Sequence, residues 1–499
     1  MPYAKGARYQ PQKGCLPGTR KEIIEEITHW VNSPNGDNVT RIFLLVGVAG
    51  SGKSAVAHTI AQLYDGLRRL GSSYCYERAD QVNRRPDNLL STIALDMADI
   101  DDNWKASLCN AVKGHRSLRT TLATTEQFEN FILEPSKALT TIGPVLVVID
   151  GLDESGNESS REGILDILAN KISDLPQNFR VLVTSRPEPD IVSALENNPL
   201  VFCKHMDTID NVSNIADITA FIEAQLSDVH SLESEWPNKH WCRMLVDSSD
   251  GHFQWASTAC RAIKERRGAL RPTERLSRFV SSARGLDELY SEVLGQAFDV
   301  EDFISMSRFK LVMGRILATK EPLSISSHSE LRDEDDPADL VELVVQQLGS
   351  LLSGVDQQDI PVRALHASFS DFLTDEKRSK AYYVDPLRHS QTLALSSLRI
   401  MKTSLRFNIC GLESSYLRNE DVPDLSLRIK KSVLPQLSYA CRFWVNHVVT
   451  AAYDQKLVNE VKDFLYHRLL YWLEVLSVVG SINIASRMLR SLLEWNQVS

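Results

Sequence analysis

The chain has few cysteines, eight in 499 residues: Cys15, Cys75, Cys109, Cys203, Cys242, Cys260, Cys410 and Cys441. None is paired as C-x-x-C. That excludes a disulfide scaffold and a zinc-finger array, and it fits a reducing cytosol, so the protein is expected to be cytoplasmic. Positive charge is also in deficit, with 55 Lys and Arg against 65 Asp and Glu, net −10. An acidic surface of this kind argues against a general nucleic-acid binder. Long apolar runs are missing as well. The richest stretch, Phe464 to Val479, is interrupted by His467, Arg468 and Glu474, each costly in lipid, and reads as a buried helix rather than a membrane span. The start, Met-Pro-Tyr-Ala-Lys-Gly-Ala-Arg, is polar with no apolar core behind it, so no signal peptide is expected. No tandem repeat of the solenoid or propeller kind recurs.

Hydrophobic residues make up 43% and charged residues 24%, an ordinary globular balance, and 499 residues are enough for two to four domains at roughly 100–200 residues each. Residues 1–20 show no periodicity and read as an arm or linker. Ile23, Ile27 and Trp30 fall at helical spacing, and a loop over 32–37 follows. Ile42 to Val46 is a continuous apolar run, the pattern of a strand buried on both faces. After a glycine-rich turn, Val56, Ile60, Leu63 and Leu67 share one helical face. The alternation continues: a strand at Ser73 to Tyr76, a helix at Leu89 to Met97, a strand at Pro144 to Ile149, a helix at Ile164 to Ile172 and a strand at Phe179 to Thr184. Strands alternating with helices predict a parallel α/β sheet with helices on both faces, ending near residue 205. Beyond it the pattern is helical over 215–228, 240–266 and 286–318. A polar loop from Ser324 to Asp339 carries the acidic run 333–336, which reads as a solvated loop. Leu340, Val344, Leu348 and Leu351 predict a further helix, and Val362 to Leu365 a short strand. The C-terminal part is helical, with its clearest stripe at Val458, Val461, Leu465, Leu469, Trp472 and Leu476.

The strongest chemical signal is Gly47-Val-Ala-Gly50-Ser51-Gly52-Lys53-Ser54, a match to G-x-x-x-x-G-K-[ST] lying between a buried strand and an amphipathic helix that opens with Ala55. Glycines let the backbone wrap a phosphate, and the helix N-terminus adds partial positive charge. Lys53 can reach the β- and γ-phosphates, and Ser54 can ligate Mg²⁺. About a hundred residues on, Asp150 closes a buried strand in VLVVIDGLDE, placed to hold Mg²⁺ directly or through water. Asp153 or Glu154 could orient an attacking water; the alternative is that these acids cap a loop or helix. Arg186, in Thr184-Ser185-Arg186-Pro187, also emerges at the carboxyl edge of the sheet, where a guanidinium can sense a γ-phosphate.

GVAGSGKS, VLVVIDGLDES and LVTSRPEPDI, in this order, resemble the NACHT class of STAND P-loop NTPases, and more closely the NLR-like fungal NACHT proteins with a nephrocystin-like N-terminal nucleotide-binding region. The stretches at 14–30, 91–98, 251–263, 286–294, 365–375, 439–447 and 469–480 agree. The resemblance implies an arm at 1–20, a P-loop domain at 21–205, a first helical domain at 206–270, a winged helix at 271–378 and a C-terminal helical domain at 379–499. His366-Ala-Ser368-Phe369-Ser-Asp371-Phe372 matches a pattern whose histidine bonds the β-phosphate of ADP in related immune receptors; a packed, hydrogen-bonded histidine is the alternative. Gly251-His252-Phe253 lacks the proline that plant-type modules place near adenine. Neither an effector domain nor a repeat sensor is visible, which points to separate effector or sensor partners or to a piece of a longer receptor. The implied function is an ATP/ADP switch with Mg²⁺, slow in hydrolysis, that self-associates when open in fungal innate immunity or non-self recognition. A conventional P-loop kinase or ATPase and a nucleotide-bound pseudo-NTPase scaffold are the rival readings. A DNA-binding regulator fits the acidic balance less well, and neither membrane nor nucleic acid is an expected partner.

Overall fold

The structure, a computed structural model, describes the chain except for residues 35, 37, 38, 82, 116, 120, 210, 228, 230–238, 266–270, 283, 284, 334, 415 and 499. Part of the expected 32–37 loop, the helix ends at 228 and 266, residue 270 at the expected domain boundary and Glu334 of the acidic run lie outside the described residues. The chain divides into two compact units. One holds Met1–Lys264 and Leu270–Leu289, the other Glu265–Ala269 and Tyr290–Ser499. Among the described residues, no helix is long and apolar enough to cross a membrane.

The first unit is built on a five-stranded parallel sheet in the order β2-β3-β4-β1-β5. Its strands are β1 (Ile42–Val46), β2 (Leu70–Cys75), β3 (Val145–Asp150), β4 (Phe179–Ser185) and β5 (Val201–His205). β1 to β4 are buried along their whole length. Alternation along each strand feeds two cores. Phe43, Leu45, Leu146, Val148 and Leu182 pack against helices α1 (Lys21–Val31) and α2 (Lys53–Gly66) through Ile23, Ile27, Trp30, Val56 and Ile60. Leu44, Val147, Ile149, Val181 and Val183 face the other way, toward Leu90 and Ile93 of α3 (Leu89–Ala98) and Trp104 of α4 (Asp102–Val112). Two covered faces explain why these strands read as unbroken apolar runs.

Parts of this unit depart from the sequence expectation. β5 was not foreseen: as an edge strand it is only partly covered, and Val-Phe-Cys-Lys-His lacks the apolar continuity of the buried strands. Residues 1–20 are no free linker either. Ala7 carbonyl accepts from the Cys75 amide at 2.7 Å, Tyr9 N–H donates to Ser73 Oγ at 3.0 Å, and Gln10 N–H to His58 Nδ1 at 3.0 Å. The arm thus runs along the exposed edge of β2 and blunts it.

The second unit is mainly helical. Helices Phe303–Ala318, Ile325–Glu330 and Leu340–Val345 precede an antiparallel pair, β6 (Leu352–Ser353) and β7 (Arg363–Ala364), and then helix Ala367–Thr374. The C-terminal stripe from Val458 to Leu476 is not one helix. It breaks at Arg468, with φ −127°, into Gln455–His467 and Leu469–Val478. Phe464 rather than Leu465 is buried in the core; Trp472 meets Trp444 and Phe464 edge to face with centroids 6.1 Å apart, and Trp444 and Phe464 pack tilted at 4.7 Å.

Candidate functional site

The site grows from the carboxyl edge of the sheet. The loop after β1 turns through left-handed backbone at Gly50 (φ 81°) and Gly52 (φ 96°), conformations that cost other residues about 1–2 kcal/mol. A Cβ on Gly50 would lie 2.5 Å from Gln254 Cβ, and one on Gly47 would lie 2.8 Å from Met206 Cβ. The loop is therefore seated between helix Phe253–Lys264 and the segment after β5. The Gln254 N–H donates to Gly50 carbonyl at 3.2 Å. Lys53 opens α2 and is buried. Its Nζ donates to the carbonyls of Gly47 at 2.7 Å and Val48 at 3.0 Å. Burial lowers its pKa, against the opposing charges of Asp153 and Asp150. Ser54 and Ala55 follow at the first turn; Ser54 is exposed and Ala55 half-buried.

The acids converge on the same edge. Asp150, at the end of β3, is buried, and its Oδ1 accepts from the Thr184 hydroxyl, which itself accepts from the Gly151 N–H at 2.9 Å. Asp153 holds Arg186 twice, by Oδ2 to Nε at 3.2 Å and by Oδ1 from the Arg186 backbone N–H at 3.1 Å. Glu154 accepts from the Arg78 N–H at 2.9 Å. Its burial, with the charge of Asp153 added, pushes its pKa up to about 7. Lys53, Asp150, Asp153, Glu154 and Arg186 thus form one electrostatic cluster.

Beside the loop lies a cleft of about 270 Å³, open to solvent, lined by Arg20, Gly47, Ser51, Pro187, His205 and His252 among others. Arg20 carried no signal of its own in the sequence. It caps α1 in left-handed backbone (φ 54°) and is buried. Its Nη2 donates to Ser51 carbonyl at 2.9 Å, its guanidinium stacks on Phe253 at 4.6 Å, and its backbone N–H binds Asp217 at 2.9 Å. Arg20 Nε and Nη1 and Ser51 Oγ are buried without a hydrogen-bond partner. Buried polar atoms left open are costly, so donors gathered at a glycine loop fit an anionic group. His58, also unforeseen, lies buried behind Asp150, with donor atoms of His58, Cys75 and Asp150 within 4.8 Å of one another. His366 belongs to the second unit. There it caps helix Ala367–Thr374, Nδ1 accepting from the Ser368 N–H at 3.1 Å and bonding Ser368 Oγ at 2.6 Å.

A five-stranded parallel sheet with a glycine loop after β1 and acids after β3 defines an α/β unit of P-loop type. Residues 18–186 match the family model described as nephrocystin 3, N-terminal. No curated protein matches the chain. Among solved structures, one titled "Structure of C. elegans PCH-2" matches with a TM-score of 0.26 and 15% identity over 54% of this chain and 70% of that one, too slight a likeness to bear on fold or function.

Proposed function

We propose that the protein is an ATP/ADP-dependent switch of the NACHT STAND class. The observation that carries this reading is the convergence of Lys53 with the unpartnered Arg20 nitrogens and Ser51 hydroxyl around the glycine loop. In it Gly47, Gly50, Ser51, Gly52, Lys53, Ser54 and Ala55 hold the phosphates, and Arg20 adds a cation at the cleft wall. Ser54 and Asp150 hold Mg²⁺, whose part is to neutralise phosphate charge. Glu154, poised near neutrality, takes the proton from water. Asp153 positions Arg186 toward the γ-phosphate, since its carboxylate is committed to that arginine.

The region 271–378 is read as a winged helix, supported by the helices and the β6–β7 pair that follow Phe303. His366, in the motif shared with related receptors, is assigned to the β-phosphate of ADP in a closed state. ATP then favours an open, self-associating form, in a signalling role such as fungal immunity or non-self recognition, with separate effector or sensor partners. Light-scattering mass of the protein loaded with ADP or with Mg-ATP tests the switch. A larger mass with ATP alone supports it; equal masses with stoichiometric binding of both assign the site to a static scaffold instead. Rapid steady turnover without any trigger would point to a conventional ATPase.

A further inference from the structure

We propose that Glu196, Cys203 and His205 form a binding site for a thiophilic divalent cation such as Zn²⁺, separate from the Mg²⁺ of the phosphate loop. Their donor atoms, a carboxylate oxygen, Sγ and an imidazole nitrogen, all lie within 4.8 Å of one another. Cys203 and His205 are two apart on β5, so the pleat sends both side chains to one face. The parallel register with Leu44 and Val46 of β1 fixes their spacing. Glu196 follows helix Pro189–Leu195 and already meets His205 Nε2 at 3.0 Å.

Zinc–ligand distances of about 2.0–2.3 Å place tetrahedral donors about 3.3–3.7 Å apart. The His–Glu pair is thus close to the required spacing, and a side-chain rotation brings the sulfur in. His205 and Glu196 are about a third exposed, at 35% and 34%, which leaves room for a water in the fourth position. A thiol, an imidazole and one carboxylate suit zinc and disfavour Mg²⁺, which takes oxygen ligands. Binding displaces the Cys203 thiol proton to solvent. The similar trio His58, Cys75 and Asp150 is less suited. His58 Nδ1 already accepts from the Gln10 N–H, Asp150 from Thr184, and all three are buried.

Co²⁺ titrated into the full chain under reducing conditions is the probe. A thiolate-to-cobalt absorption band at one equivalent, displaced by Zn²⁺, is expected in the wild type and in Cys75→Ser, and is lost in Cys203→Ser. Glu196→Gln keeps a hydrogen bond to His205 but loses the charge; it and His205→Gln should weaken Zn²⁺ by about tenfold to a hundredfold or more, the range seen even for supporting groups. Unchanged melting of the metal-free variants shows that the fold is intact. No band in the wild type, or a band that survives in Cys203→Ser, overturns the site; so does a band abolished only by Cys75→Ser.

Discussion

Glu154 is a carboxyl held near neutrality, and its removal separates a working base from a structural acid. Its pKa rises from the ordinary 4.5 to about 7, because burial disfavours the charge and Asp153 adds repulsion. Below about pH 7 the group is protonated and cannot take a proton from water. Single-turnover ATP hydrolysis should therefore fall about tenfold per pH unit below that point and level off above it. Glu154→Gln should lower the plateau by about 10²–10⁴ while sparing nucleotide affinity. Stability should move the other way. A carboxyl whose pKa is raised by folding favours the native state below its unfolded value and costs stability as pH climbs toward its folded value. The interval from 4.5 to about 7 corresponds to ~3 kcal/mol at about 1.36 kcal/mol per pH unit. Nucleotide-free Glu154→Gln should accordingly melt higher than wild type at pH 8 and equally at pH 4. Hydrolysis flat between pH 6 and 8, or a variant destabilised at pH 8, would refute the reasoning.

Gly50→Ala should lower thermal stability more than Gly18→Ala. Both glycines have positive φ, but only at Gly50 does the new Cβ collide, 2.5 Å from Gln254 Cβ; equal melting losses would remove the tight seating of the loop. Arg20→Ala should weaken ATP by roughly ten- to a hundredfold, since hydrogen bonds to charged groups are worth about 1.5–3 kcal/mol. Calorimetric affinity equal to wild type would assign Arg20 to packing on Phe253. His366→Asn keeps a good helix cap and removes the imidazole. It should weaken ADP more than ATP and raise the light-scattering mass, whereas equal affinities and an unchanged mass would leave His366 as a cap only.

The parts of the site that sit at the ends of buried strands were legible because burial on both faces makes such strands continuous apolar runs, and the chemistry follows directly after them. Gly47 to Ser54 after β1, Asp150 to Glu154 at β3 and Arg186 after β4 all obey this rule. The parts that folding brings in from elsewhere left no periodic trace. Arg20 reaches the loop from the end of an arm without apolar periodicity, and His58 reads as any polar residue on a helix until Asp150 is placed beside it. β5 was lost because an edge strand is only half covered. The break at Arg468 was lost because heptad-like spacing carries across it, and Phe464 before it and Trp472 after it both pack on Trp444.

The central claim is that the loop from Gly47 to Ser54 binds a nucleotide through Lys53. Isothermal titration of Mg-ATP against wild type, Lys53→Ala and Lys53→Arg tests it most directly. One site per chain is expected in the wild type, with strong weakening in both variants, because arginine keeps the charge but not the compact ammonium that the loop encloses. Wild-type affinity in both variants, with their melting unchanged, would contradict it.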